Sequence, residues 1–187
     1  TVSSGGTASL ATISSGGLQV ISSGGSALSG YISSGGSQLI SSGGYVSGVY
    51  VSGGNLQLVS AGTIVSANLG SAAYQQVLAG GIASGTTLND GSFQSILSGG
   101  TGTNATMYSN AVAITEPGSL IQGYTMRGDG SILWVKGNVG ASSAGGDGVG
   151  IYGNTNTAQF TGGTISAPIN VYGNSNNAVS YTHLRAH

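Results

Sequence analysis

The chain has 187 residues, of which only 4% are charged, with three basic and four acidic side chains and a net charge of -1. Three Lys and Arg exclude the basic footprint of nucleic-acid binding and the basic cluster of anionic-membrane recognition. The absence of Cys excludes disulfides and thiolate metal sites.

The 37 Gly would suit a disordered segment, but 39% hydrophobic content and a near-zero net charge oppose that reading. The chain opens at TVSSGG with no charged n-region and no apolar h-region, so an export signal is expected elsewhere. No apolar run approaches the roughly 18 residues of a membrane span, and no membrane insertion by these residues is expected.

From Ser3 to Gly44 the tetrapeptide SSGG occurs five times, at Ser3, Ser14, Ser22, Ser33 and Ser41, so its spacing alternates between eleven and eight. The two gaps add to a period of 19. Seven units follow without an insertion, from Val2, Ile21, Ile40, Val59, Leu78, Leu97 and Glu116. The aligned units give an apolar first column, Val2, Ile21, Ile40, Val59, Leu78 and Leu97. The eleventh column runs Thr12, Tyr31, Tyr50, Leu69, Leu88, Met107 and Met126. A Gly column runs Gly5, Gly24, Gly43, Gly62, Gly81 and Gly100, and a Gln column runs Gln19, Gln38, Gln57 and Gln76. Fixed periods of this length mark solenoids.

Helical coils do not fit, because Gly-Gly every eight to eleven residues would interrupt each helix at about 1 kcal/mol per Gly. Short runs of Val, Ile, Leu and Tyr suit strands. The expected fold is all-β, a right-handed parallel β-helix (β-solenoid) with about one 19-residue repeat per coil. At about 3.3 Å per residue the coil perimeter is at most roughly 60 Å, and successive coils stack about 4.8 Å apart. Each SSGG is then a corner, with Gly supplying positive φ and Ser hydroxyls bonding turn backbone. The stacked Gln amides are expected to bond along the axis. Adjacent apolar pairs such as Val20 and Ile21 break strict alternation and are expected at bends where both side chains turn inward.

The regular repeat covers residues 1–134. A less regular continuation is expected over 135–180, where IYGNTN (151–156) and VYGNSN (171–176) recur 20 residues apart. The end, 181–187, reads as a non-native or frayed tail. It holds both His and one of the basic residues, His183, Arg185 and His187.

Catalytic chemistry finds little support. Asp90 and Glu116 have no carboxylate near them, and their separation is not a multiple of the period, so no glycosidase pair forms. Arg127, Asp129 and Lys136 are the one local cluster of charge a polysaccharide lyase could use. A Ser-His-Asp arrangement would need a His from the tail. GGDGVG (145–150) has one Asp, Asp147, where Ca²⁺-binding Gly/Asp repeats need several, and reads as a loop. No enzyme activity, metal or cofactor is expected. RGDG at Arg127, Gly128 and Asp129 contains the tripeptide associated with integrin binding, at a corner. The alternative is a turn whose Asp129 bonds its own backbone. Tyr31 and Tyr50 share a column and can stack, as packing or as part of an aromatic strip for glycans. An ice-binding face would need a flat Thr array, and Thr is scattered.

The units VSSGGTASLATISSGGLQV (2–20) and ISSGGSALSGYISSGGSQL (21–39) resemble the passenger repeats of AIDA-type self-associating autotransporter adhesins. The resemblance is strong over 2–58, weaker to about 134 and general beyond. It implies a bacterial cell-surface passenger, exported and anchored by an outer-membrane β-barrel, that mediates adhesion to a host-cell or surface receptor, self-association and biofilm formation. It also implies O-heptosylation by a dedicated glycosyltransferase. Carried over by position, the acceptors would be Ser3, Ser4, Ser14, Ser15, Ser22, Ser23, Ser33, Ser34, Ser41, Ser42 and Ser52. From Val59 onward the Ser pair departs from the pattern, as at Ala61 and Gly80. The alternative function is a passive stalk that holds another domain away from the cell. Both need the same repeat, and uncharged polar faces suit lateral contact between copies.

Overall fold

The computed structural model describes residues 1–58, 61–140 and 148–180. Every element in these ranges is a strand, a turn or a bend. Each regular coil carries three strands. In the first complete coil they are β1 (Thr7–Ser9), β2 (Thr12–Ile13) and β3 (Leu18–Ile21). Every third strand pairs in parallel with its predecessor. The three resulting sheets, I, II and III, hold eight, nine and nine strands among the described residues. The solenoid is therefore three-sided.

Alternation along each strand sends one set of side chains inward. Sheet II contributes Ile13, Ile32, Val51, Leu69, Leu88, Met107 and Met126 to the core, all buried. Sheet III contributes Ile21, Ile40, Val77, Ile96 and Val135. Like stacks on like, because each residue pairs with its counterpart one coil away, as Ile13 does with Ile32.

In the N-terminal coils, up to Gly44, two corners of each coil are the SSGG turns. In the best-formed of them the N–H of the fourth residue donates to the carbonyl of the first, as Gly36 does to Ser33 at 2.9 Å. Gly35, the third residue, has φ of 76°, so the geometry is that of a type II turn. Gly36 serves a different need: a Cβ there would lie 2.5 Å from the carbonyl oxygen of Ile13 in the preceding coil. The two glycines are required for separate reasons, one for backbone hand and one for coil-to-coil approach.

The third corner, between sheets I and II, is absent from the eleven-plus-eight reading. It bends at a single left-handed residue, successively Leu10, Ser29, Gly48, Ser66, Gly85, Asn104 and Gly123, with φ between 52° and 65°. The residue there varies among Leu, Ser, Gly and Asn, so the corner leaves no fixed wording in the sequence.

The coils also depart from an unbroken register of 19. Ser37 pairs with Asn55 and Tyr45 with Thr63, a step of 18, because the corner at Ser52, Gly53 and Gly54 has one residue fewer. Val112 pairs with Ile132, a step of 20, because the corner at Arg127–Ser131 has one more. The two changes cancel by Val135. Between them every expected column is displaced by one. By strand pairing the Gln column runs Gln19, Gln38, Leu56, Gln75 and Gln94, not through Gln57 and Gln76. Tyr50 is followed by Asn68, not Leu69, and Gly43 by Ala61, not Gly62. In the first column, Ile40 is followed by Leu58, not Val59. Val20 corrects another expectation: it faces outward, half-buried, while its neighbour Ile21 is fully buried.

Beyond Val135 the coils continue with other lengths. Met126 pairs with Ile151 across 25 residues, and Ile151 with Val171 across 20. Asp147 and the tail residues His183, Arg185 and His187 lie outside the described residues.

Candidate functional site

The second residue of each SSGG turn stands on the outside of a corner. Ser4, Ser23 and Ser42 occupy one edge and Ser15 and Ser34 another, all exposed. Among the described residues no hydrogen bond engages their hydroxyls. The first Ser of each pair is placed differently. Ser22, Ser33, Ser41 and Ser52 are half-buried, and Ser33 Oγ donates to the Ile13 carbonyl at 3.1 Å. Ser3 and Ser14, in the outermost coil, are exposed. The same exposed turn position is held further along by Ser71, Ser98 and Ser109, which the SSGG wording missed. The Gly-Gly after Ser98 was a usable signal.

The RGD tripeptide lies at a corner, with Arg127 and Asp129 exposed. It is one rung of a ladder that contains both YGN motifs. Arg127, Tyr152 and Tyr172 stack, with the guanidinium 5.6 Å from the Tyr152 ring centroid and the two rings 4.8 Å apart. The Asp129 carboxylate does not bond its own turn. Its Oδ1 accepts from the N–H of Asn154 in the next coil at 2.7 Å, and Asn154 Oδ1 accepts from Asn174 N–H at 3.0 Å. A second, inner ladder runs in parallel. Ser131 N–H donates to Asn156 Oδ1 at 2.8 Å, and Asn156 N–H donates to Asn176 Oδ1 at 2.9 Å.

The remaining charge among the described residues is similarly absorbed. Lys136 pairs with Glu116 at 3.1 Å and lies 5.0 Å from the Trp134 ring centroid. Asp90 accepts from the Asn110 amide at 2.8 Å. Lys136 follows sheet III and Arg127 and Asp129 follow sheet II, so the sequence cluster is divided between two sides. Among the described residues no three His, Asp or Glu side chains gather into a metal site. Thr87, Thr106 and Thr125 do stack in one outward column, but it is a single residue wide and continues as Asn68 and Tyr50.

Inside, the Gln column is a hydrogen-bonded ladder in two pieces. Gln38 Nε2 donates to Gln19 Oε1 at 2.7 Å, and Gln94 Nε2 donates to Gln75 Oε1 at 2.6 Å. Tyr124 closes the upper piece, its hydroxyl donating to Gln94 Oε1 at 2.6 Å. Gly102 makes room for that phenol. Complete burial pushes the Tyr124 pKa well above the usual tyrosine range.

Three parallel sheets wound around one core define the class: this chain is a β-solenoid. Among solved structures it is similar to the TibC-catalysed hyper-glycosylated TibA55-350 fragment, with a TM-score of 0.59 and 24% identity, over 97% of this chain and 84% of that one. No family model and no curated protein matches it.

Proposed function

We propose that this chain is part of a surface-displayed adhesin passenger, held outside a bacterial cell by an outer-membrane β-barrel and O-glycosylated at its corners. The observation that carries this reading is the pair of exposed Ser edges on an almost uncharged rod. A glycosyltransferase needs an accessible hydroxyl on a protruding backbone, and the second turn position offers one at each SSGG corner. The similarity in fold to a hyper-glycosylated fragment supports the same reading. The role is adhesive and not catalytic. Neutral faces of two copies approach without repulsion, and rows of Ser, Thr, Gln and Asn add weak contacts over many coils. A host or surface receptor is the other partner.

Co-expression with a transferase of the TibC kind, followed by glycopeptide mapping, tests the modification. Sugar is expected on Ser4, Ser15, Ser23, Ser34 and Ser42 ahead of Ser22, Ser33, Ser41 and Ser52. Modification confined to the half-buried set would refute the assignment. Sedimentation across a concentration series tests self-association. Mass rising steeply with concentration is expected, and a monomer throughout, glycosylated or not, would favour the stalk.

A further inference from the structure

The outer face of sheet III carries a notch of about 500 Å³, lined by Leu18, Ser37, Gln38, Leu39, Asn55 and Tyr74. Its origin is legible in one outward column. That column runs Leu18, Ser37, Asn55, Tyr74, Phe93, Val112 and Ile132, each residue paired with the next. Two short polar side chains, Ser37 and Asn55, interrupt a row of large apolar ones. Asn55 directly follows the shortened corner at Gly54. The floor is thus a hydroxyl and an amide, and the walls are Leu18, Leu39 and the Tyr74 ring.

Tyr74 presents a ring face to this space. Phe93, one coil further on, stacks against its other side at 5.3 Å and 9°. The contrast with Tyr152 is instructive, because Arg127 and Tyr172 there cover both faces. An aromatic face is electron-rich and attracts the weakly positive C–H groups of a ring lying on it. The neighbouring Ser37 hydroxyl and Asn55 amide supply both donors and acceptors. Among the described residues no Asp, Glu, Lys or Arg lines the notch. Its volume lies within the range of small-ligand sites.

We infer that this notch binds a neutral sugar ring, stacked on Tyr74 with hydroxyls bonded to Asn55 and Ser37. A charged sugar would find no counter-charge, and a purely apolar ring would leave the amide and hydroxyl unpaired. The inference is independent of the corner modification, since the ligand is a free glycoside.

The whole chain, made in a host without a glycosyltransferase, would be titrated with the methyl glycosides of glucose, galactose, mannose and N-acetylglucosamine. Saturation-transfer NMR reads binding, with cyclohexanol as the ring lacking the hydroxyl set. At least one glycoside should bind saturably, in the millimolar range. Asn55→Ala should weaken it about tenfold, the worth of one well-made hydrogen bond. Ser37→Tyr, which fills the notch from an outward position and extends the aromatic stack, should abolish it. Tyr31→Ala, on another sheet, should leave it unchanged. The inference fails if no glycoside saturates, if cyclohexanol binds as well, or if the folded Ser37→Tyr protein binds like the parent.

Discussion

The solenoid bends by two different chemistries. In the N-terminal coils the SSGG corners rely on backbone: a left-handed Gly, a four-residue turn bond and a second Gly that lets coils meet. In the C-terminal coils, from Arg127 onward, the corresponding corner has five residues and relies on side chains. Asp129, Asn154 and Asn174 cap one another outside, and Ser131, Asn156 and Asn176 do so inside. Longer corners expose more backbone N–H groups, and the Asn amides satisfy them. A corner can thus be closed by removing side chains or by choosing ones that mimic backbone.

Substitutions at matching places sharpen this comparison. The largest effect is expected from Gly36→Ala. The new Cβ would meet backbone of the previous coil, which has no room to yield, and about 3 kcal/mol should be lost in urea unfolding. Little or no loss would mean that coil spacing is not set by that Gly. Asn156→Ala comes next. It leaves the buried Ser131 N–H without an acceptor and should cost about 2 kcal/mol. Loss as small as at an exposed site would show that side-chain caps matter little.

Tyr124 stands where the two regions meet, and Tyr124→Phe should cost about 1 kcal/mol at neutral pH by removing the bond to Gln94. Its pH signature is more telling. Burial raises the folded-state pKa above the unfolded value of about 10. Below that value both states are protonated and stability does not depend on this group. Above it the unfolded chain loses the proton first, so stability falls as pH rises. Unfolding midpoints between pH 8 and 11 should show a decline in the parent that is shallower in Tyr124→Phe. Identical slopes would place the ionisation elsewhere. The smallest effect is expected from Asn154→Ala, about 0.5 kcal/mol, because the Asn174 N–H it releases is exposed and water can replace the lost amide.

Much of this architecture was readable from residues alone. SSGG marks two of three corners because both of its glycines answer steric needs. The inward columns were readable wherever Ile, Val and Leu recur. The one-residue slip at Ser52 was not. In Asn55–Leu56–Gln57–Leu58, either of two frames places an amide beside a leucine, so alternation cannot choose between them, and a slip of one reverses every side chain. The compensating residue at Arg127–Ser131 then hid the slip from any count of the whole. The third corner left no trace because one left-handed residue can be Ser, Asn, Gly or even Leu. The exposed Ser edges were half legible. The pairs announced the corners, but only the turn geometry separates the outer Ser from the inner one. The kinship of RGD with the YGN motifs stayed hidden because their side chains differ while their hydrogen-bonding roles coincide.

The parallel pairing of coils has a mechanical consequence. Hydrogen bonds between coils run along the rod, so tension applied at its two ends loads them directly, and the outermost coil must release first. One 19-residue coil occupies about 4.8 Å of rod yet straightens to roughly 60 Å of chain. Each release therefore lengthens the tether more than tenfold locally and lets the force drop before the next coil is loaded. Stretching single molecules should give a sawtooth with increments near 60 Å, shortest for the 18-residue coil and longest for the 25-residue one. A single long rupture would show instead that the coils fail together.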